Sequence, residues 1–195
     1  MSNCYCLPGR AGGSPGGLAD VVEELKKRVD NFNIKDLAQN EAFISATIQA
    51  SRIAAGTHKE DKRKILRNAL LNIALGGGPD EDTQQIFLNI VDAFTASHVR
   101  VLDVLWRGPN LMDGKTLWDQ NHVPMNARNY GKAIELLVPQ LKGQGALAEY
   151  ILTDLRSRGF TQLNALTMTF PTGGTITGIG VQFMRFVLHP DERPF

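Results

Sequence analysis

Apolar residues recur at helical spacing near the start of the chain. Leu18, Val21, Val22, Leu25 and Val29 follow the spacing i, i+3, i+4, i+7 and i+11. This spacing places all of them on one side of an α-helix, while the glutamate, lysine and arginine residues between them form a solvated side. The pattern therefore predicts an amphipathic helix over residues 18–29.

A second apolar pattern covers residues 36–55, which are rich in Ala, Ile and Gln. It predicts a helix whose buried side carries Leu37, Phe43, Ile44 and Ile48. Thr57 and Glu60 then have the spacing of a capping box, in which the threonine hydroxyl accepts from a first-turn amide and the glutamate reaches back. A third helix is predicted to run from there to about Leu75, where the glycines and proline at 76–79 end it.

Two more helices complete the N-terminal half. Acidic residues at 80–82 favour the positive end of a helix dipole and predict a helix start. The broad apolar face of that helix carries Ile86, Phe87, Ile90, Val91 and Phe94. Thr95 can cap the next helix, which is predicted to end near Trp106. Five helices with short connectors are typical of a helical bundle.

The C-terminal half is predicted to be mixed. Residues 108–129 form a long connector, and helices are predicted at 130–138 and 144–157, the second ending at Gly159. Leu166, Met168 and Phe170 alternate with period two, which predicts a strand. Residues 171–174 predict a turn and residues 175–177 a return strand. Thr177 can then cap a short last helix.

This order of elements resembles a winged-helix domain over residues 95–188. The segment Arg156-Ser157-Arg158-Gly159-Phe160 is similar to the end of the third helix of bacterial winged-helix regulators and the strand after it. The run Ile176-Thr177-x-x-Gly180-x-x-Phe183 resembles the end of their wing. The resemblance implies a mainly α fold, in which a helical N-terminal half is joined to a winged-helix-like α+β unit with a small two-stranded wing.

The resemblance also implies a division of the chain. Residues 1–17, rich in Gly and Pro, are predicted to be a disordered tail, and residues 18–94 a helical segment. Residues 95–188 would be the winged-helix-like domain, and residues 189–195 a loose C-terminus. The whole chain also resembles uncharacterised bacterial proteins, some of them linked to abortive infection of phage.

The balance of basic and acidic residues bears on whether the chain binds nucleic acid. The chain of 195 residues has 21 Lys+Arg and 20 Asp+Glu, a net charge of +1. Residues 1–107 hold 13 of each sign, and residues 108–195 hold 8 basic and 7 acidic residues. A nucleic-acid binder usually shows a basic footprint, because affinity for duplex DNA depends on phosphate contacts. Neither half has such an excess.

Two groups of cations are the candidate nucleic-acid contacts. Arg63, Lys64 and Arg67 fall on one side of the predicted third helix, and they form either a phosphate-contacting face or an ordinary solvated surface. Arg156 and Arg158 belong to the helix that the winged-helix resemblance places in the major groove. Acidic residues on the same helix would repel phosphates.

The sequence offers little chemistry beyond these cations. Cys4 and Cys6 are too few for a structural zinc site and indicate a reduced thiol pair on the tail. His98 is either a base or a capping, partly buried histidine. We expect no catalytic residue, no cofactor and no metal site. The chain has neither a secretory signal nor an apolar run long enough for a transmembrane helix, so a cytoplasmic protein without membrane contact is expected.

These observations favour a non-catalytic interaction or regulatory protein of bacterial origin, which acts through protein contacts or self-association. The alternatives are a winged-helix regulator that binds duplex DNA and a phage-defence protein. No small-molecule substrate is evident from the sequence. The protein-contact hypothesis predicts an exposed apolar patch.

Overall fold

α-Helices make up most of the computed structural model, which describes residues 18–29, 33–107, 130–167 and 175–193. In chain order they are α1 (Leu18–Arg28), α2 (Ile34–Ala38), α3 (Glu41–Ala55), α4 (Glu60–Ala74), α5 (Glu81–Ala93), α6 (Ala96–Arg107), α7 (Tyr130–Leu137), α8 (Gly145–Ser157) and α9 (Gly178–Val187). Short 3₁₀ turns lie at Pro139–Leu141 and Pro190–Glu192. The prediction of a mainly helical chain is confirmed.

Several predicted helix ends are confirmed by their capping bonds. The Asp80 carboxylate accepts from the amide of Thr83 at 3.1 Å and begins α5. The Thr177 hydroxyl accepts from the amide of Gly180 at 3.1 Å and begins α9. Gly76 and Gly159 end α4 and α8 with φ of 70° and 78°, a backbone conformation that glycine adopts without steric cost.

Other helix ends differ from the prediction. The expected helix over residues 36–55 is divided into α2 and α3, because the Asn40 side chain accepts from the amide of Phe43 at 3.0 Å and starts a new helix. The capping box at Thr57 and Glu60 does not form. The Thr57 hydroxyl accepts from the amide of Lys59 at 3.2 Å instead, so it stabilises a turn before α4.

The core is built around α4 and α6. α4 packs against α1, α3, α5 and α9, and α6 packs against α7, α8 and α9. α9 therefore contacts both central helices. α9 also contacts α5, since its Phe183 packs edge to face against Phe87 with ring centroids 5.2 Å apart. One hydrophobic cluster contains buried residues of every described helix except α2.

The predicted winged helix is wrong. Within the described residues the chain has no strand, and an isolated antiparallel bridge joins Thr161 to Ile176. Leu166 shows why the predicted strand does not form. Its amide donates to the Glu149 carboxylate at 3.2 Å and its carbonyl accepts from the amide of Gly131 at 2.9 Å, so both backbone groups bond to helices. Residues 168–174, the rest of the predicted hairpin, lie outside the described residues.

The hydrophobic cluster also crosses the predicted division at residue 95. That division stays a prediction, and the predicted tail over residues 1–17 lies outside the described residues. The loose C-terminus predicted over residues 189–195 also stays a prediction, and its described residues bond to the helices. The Lys64 ammonium bonds the Glu192 carboxylate at 2.9 Å, and the Arg28 guanidinium donates to Asp191 at 3.0 Å.

Asn72 of α4 joins two parts of the chain that are distant in sequence. It is 1% exposed, and its amide nitrogen lies 3.1, 2.8 and 2.9 Å from the carbonyl oxygens of Arg185, Phe186 and Leu188. These carbonyls belong to the last turn of α9 and the residue after it, where a helix has no partners of its own. The Asn72 oxygen in turn accepts from the Arg193 guanidinium. A single buried side chain on α4 thus binds both the end of α9 and the segment that follows it.

We predict that Asn72→Ala lowers the free energy of unfolding by roughly 3 kcal/mol, because it leaves buried carbonyl oxygens without a donor. Urea unfolding followed by circular dichroism measures the change. Asn164→Ala, at an exposed asparagine, is the matched control, and its free energy of unfolding should be close to that of the unsubstituted chain. Equal stability of the two variants would contradict this account of the junction.

Gly180 gives a second prediction about the fold. A Cβ at this position would lie 2.3 Å from the carbonyl oxygen of Phe160, too close for any side chain. Gly180→Ala should therefore lower the free energy of unfolding by about 3 kcal/mol. Gly178→Ala is the control two residues earlier in α9, where an added Cβ meets nothing within 4 Å. A thermal melt of both variants checks the difference, and a stable Gly180→Ala variant would show that α9 does not lie this close to Phe160.

Candidate interaction surface

The cations predicted to contact nucleic acid on α4 all bind groups of the chain itself. The Arg63 guanidinium donates to the carbonyl oxygen of Thr57 at 2.9 Å. Lys64 pairs with Glu192, and the Arg67 guanidinium lies 3.8 Å from the Asp20 carboxylate on α1. These bonds tie α4 to α1 and to the C-terminal segment.

The cations predicted on α8 are bound in the same way. The Arg156 guanidinium donates to the carbonyl oxygen of Asn164 at 3.3 Å. Arg158 pairs with Asp154 at 3.1 Å, and its guanidinium carbon lies 5.2 Å from the centre of the Phe94 ring. The partners of Arg156 and Arg158 lie on α8, just after it and at Phe94. Those of the α4 cations lie on α1, in the turn before α4 and in the C-terminal segment. The structure therefore gives each group its own set of partners.

His98 lies at the start of α6 and joins α6 to α8. Its Nδ1 accepts from the amide of Thr95 at 3.3 Å, so the ring proton is placed on Nε2, which lies 3.5 Å from the Asp154 carboxylate. The ring stacks on Phe94 with centroids 4.7 Å apart. Burial lowers the pKa of His98 below its usual value; Asp154 raises it in part and Arg158 lowers it. The capping interpretation of His98 fits this geometry.

Groups of metal ligands and membrane-spanning helices are both absent from the described residues. No three His, Cys, Asp or Glu side chains among them come together as metal ligands, and none of their helices is long and apolar enough to cross a bilayer. A cleft of about 240 Å³ beside α1 is lined by charges of both signs, including Glu24, Lys27 and Arg67. Cys4 and Cys6 lie outside the described residues.

α3 carries apolar residues on two opposite sides. Its inner side packs into the core through Phe43, Ala46, Ala50 and Ile53. Ile44 and Ile48, which the sequence predicts to be buried, are 40% and 54% exposed. They lie one helical turn apart, on the side that faces away from the core. The prediction for these two isoleucines is therefore wrong, and they form an exposed apolar pair instead.

A charged residue lies at each end of this outward side of α3. Glu41, Ile44, Ile48 and Arg52 follow the spacing i, i+3, i+7 and i+11, so they form one line along the helix. All four are exposed. We call this line the outer stripe of α3. Residues 42–51 contain no charged side chain, although 21% of the chain is charged.

α5 extends this surface with further neutral residues. The Gln49 amide next to the stripe donates to the Asn89 side chain of α5 at 2.7 Å. Ile86 lies one turn before Asn89 and is 55% exposed, although the sequence predicts it on the apolar face of its helix. Residues 83–91 of α5 contain no charged side chain either. Ile44 and Ile48 of the outer stripe and Ile86 of the neighbouring helix thus lie among uncharged residues, with Glu41 and Arg52 at the two ends of the stripe.

Sequence reasoning missed this surface because it assigned Ile44 and Ile48, together with Phe43, to the core. The signal that could have found it is the spacing of the alanines. Phe43, Ala46, Ala50 and Ile53 follow i, i+3, i+7 and i+10 and already supply a complete buried side. Ile44 and Ile48 are then left over, and the run of uncharged residues around them would have marked their side as unusual for a solvated surface.

No protein-family model, no curated protein and no solved structure matches the chain, so no comparison supports the winged-helix resemblance or any other family.

His98 gives a prediction about pH. Because the folded chain binds this proton more weakly than the unfolded chain, the free energy of unfolding falls as the pH drops below about 6.5, the ordinary pKa of histidine. His98→Gln keeps an acceptor for the Thr95 amide but removes the titrating ring. Its free energy of unfolding should therefore depend less on pH between about 7 and 5.

Urea unfolding at several pH values measures this slope. His189 contributes in the same direction, because burial also lowers its pKa, so a His189→Gln variant determines the share that is not due to His98. A slope unchanged by His98→Gln would refute the proposed role of this ring.

Proposed function

We propose that the chain is a non-catalytic protein that acts through protein contacts, and that its contact surface is the outer stripe of α3 together with Ile86 of α5. The observation that carries the proposal is the group of exposed isoleucines that lies among uncharged residues between Glu41 and Arg52 and on α5. The cores of protein interfaces are depleted in charged residues and apolar relative to the rest of the surface. Ile44, Ile48 and Ile86 supply the apolar groups, each at least 40% exposed.

The rigidity of this face supports the proposal. α3 is fixed from behind by Phe43 and Ala46, which are 5% and 4% exposed, and it packs against both α4 and α5. The bond between Gln49 and Asn89 further holds α3 and α5 together at the surface. A preformed face loses little conformational entropy when a partner binds, which lowers the free-energy cost of association.

Duplex-DNA binding has less support. The winged helix that suggested it does not form, and Arg63, Lys64, Arg67, Arg156 and Arg158 all bond groups of the chain itself. Phosphate contacts would have to compete with these bonds. The roles as a DNA-binding regulator and as a phage-defence protein, and the expectation that the protein is not an enzyme, stay predictions.

The contact surface is tested by a photoreactive amino acid placed at Ile48 in the full chain, expressed in its native cells. Illumination should give a covalent adduct with a protein, because this position would be covered in the complex. The matched control is the same photoreactive residue at Thr153, an exposed position on α8. Equal adduct formation at the two positions, or none at either, would overturn the proposed surface.

A duplex-DNA titration at two salt concentrations tests the alternative. We expect no binding by fluorescence anisotropy at either about 50 mM or about 200 mM salt, since a phosphate-dependent affinity would be strongest at the lower one. Tight binding at low salt that weakens steeply at high salt, and that is lost in an Arg156→Ala, Arg158→Ala double variant, would favour the DNA-binding role instead.

A further inference from the structure

We infer that the partner of the outer stripe is a second copy of this chain, packed with its α3 antiparallel to the first about a two-fold axis that crosses the helix near Ala46 and Thr47. This inference rests on the proposed function, because it names the occupant of the same surface. The charges at the two ends of the stripe carry it.

Glu41 and Arg52 lie at opposite ends of the outer stripe, and both are exposed. They are 11 positions apart in the sequence, or about 16 Å along an α-helix. In an antiparallel pair related by a two-fold axis at the middle of this span, Glu41 lies opposite the partner subunit's Arg52. The same symmetry places Arg52 opposite the partner subunit's Glu41, so each dimer gains two ion pairs from one arrangement.

The residues between the two charges fit the same arrangement. Ile44 and Ile48 lie nearly symmetrically about the centre of the stripe. Ile44 would therefore contact the partner subunit's Ile48, and Ile48 the partner subunit's Ile44. A surface that pairs with itself must avoid placing like charges together, and residues 42–51 contain none. A parallel pairing would instead set Glu41 against the partner subunit's Glu41, which is unfavourable.

The polar residues beside the stripe are also suited to self-pairing. Ser45, Gln49 and Asn89 can each donate and accept hydrogen bonds, so a copy of the same surface can satisfy them. Electrostatic complementarity provides much of the specificity between different proteins. The outer stripe offers an unrelated partner few charges for such recognition. The self-complementary order of charges is what favours a second copy.

Charge exchange at the ends of the stripe tests the inference on the full chain. Sedimentation equilibrium of the unsubstituted chain over a wide concentration range should show a monomer–dimer equilibrium. Glu41→Arg and Arg52→Glu should each weaken dimerisation by about tenfold, because each variant turns two attractive contacts into two repulsive ones. The double variant, with both charges exchanged, should restore the original dissociation constant.

A mixture of the two single variants tests whether the charged ends of the two stripes face each other in the dimer. The Glu41→Arg chain carries arginine at both ends of the stripe and the Arg52→Glu chain carries glutamate at both ends. The two chains should therefore form a heterodimer more tightly than either forms a homodimer. Thermal melts should show that both variants fold, because the two substituted side chains are exposed.

A monomer at every concentration, or a dimer whose dissociation constant does not respond to these exchanges, would overturn the inference. The proposed function is judged separately by the adduct at position 48. An adduct with a different protein, combined with a monomeric purified chain, would keep the contact surface and reject the second copy as its occupant. Failure of both experiments would reject the surface as well.

Discussion

The hydrogen bonds from Asn72 to the end of α9 are the constraint on which the rest of the structure depends. α9 brings three large apolar side chains into the core, yet its last carbonyls would be buried without donors if α4 did not supply an amide there. This bond fixes α9 against one side of α4, and Arg193 then closes the C-terminal segment over the same point. α1, α3 and α5 pack against this same helix.

This arrangement explains why the outer stripe of α3 is left exposed. The inner side of α3 is narrow, with Ala46 and Ala50 between larger residues, so the helix packs closely on α4. Close packing buries the side with the alanines and turns Ile44 and Ile48 outward. The exposed isoleucines are thus a consequence of how the core closes. The neutral residues between Glu41 and Arg52 are a separate feature of the sequence, and the two together are the support for the proposed protein contact.

Much of the helical architecture could be predicted from the sequence, because its signals are local. The start of α5 at Asp80 and the ends of α4 and α8 at Gly76 and Gly159 depend on a few neighbouring residues. The winged helix could not be excluded in this way, since its failure depends on Leu166 bonding to Glu149 and Gly131, which are distant in sequence. The junction at Asn72 was missed for the same reason, because its partners lie more than 100 positions away in the sequence. The outer stripe was missed although a local signal exists, namely the buried side that Phe43, Ala46, Ala50 and Ile53 complete without Ile44 and Ile48.

The central claim is that two copies of the chain meet through antiparallel α3 helices. The most direct measurement is an isotope-filtered nuclear Overhauser experiment on an equal mixture of ¹³C-methyl-labelled and unlabelled chains, with the isoleucine methyl groups assigned. The account predicts intermolecular cross-peaks between the methyl groups of Ile44 in one chain and Ile48 in the other. Cross-peaks that join only Ile44 to Ile44 would require a parallel pairing, and no intermolecular cross-peak at either isoleucine would show that α3 is not the dimer contact. Either result would contradict the claim.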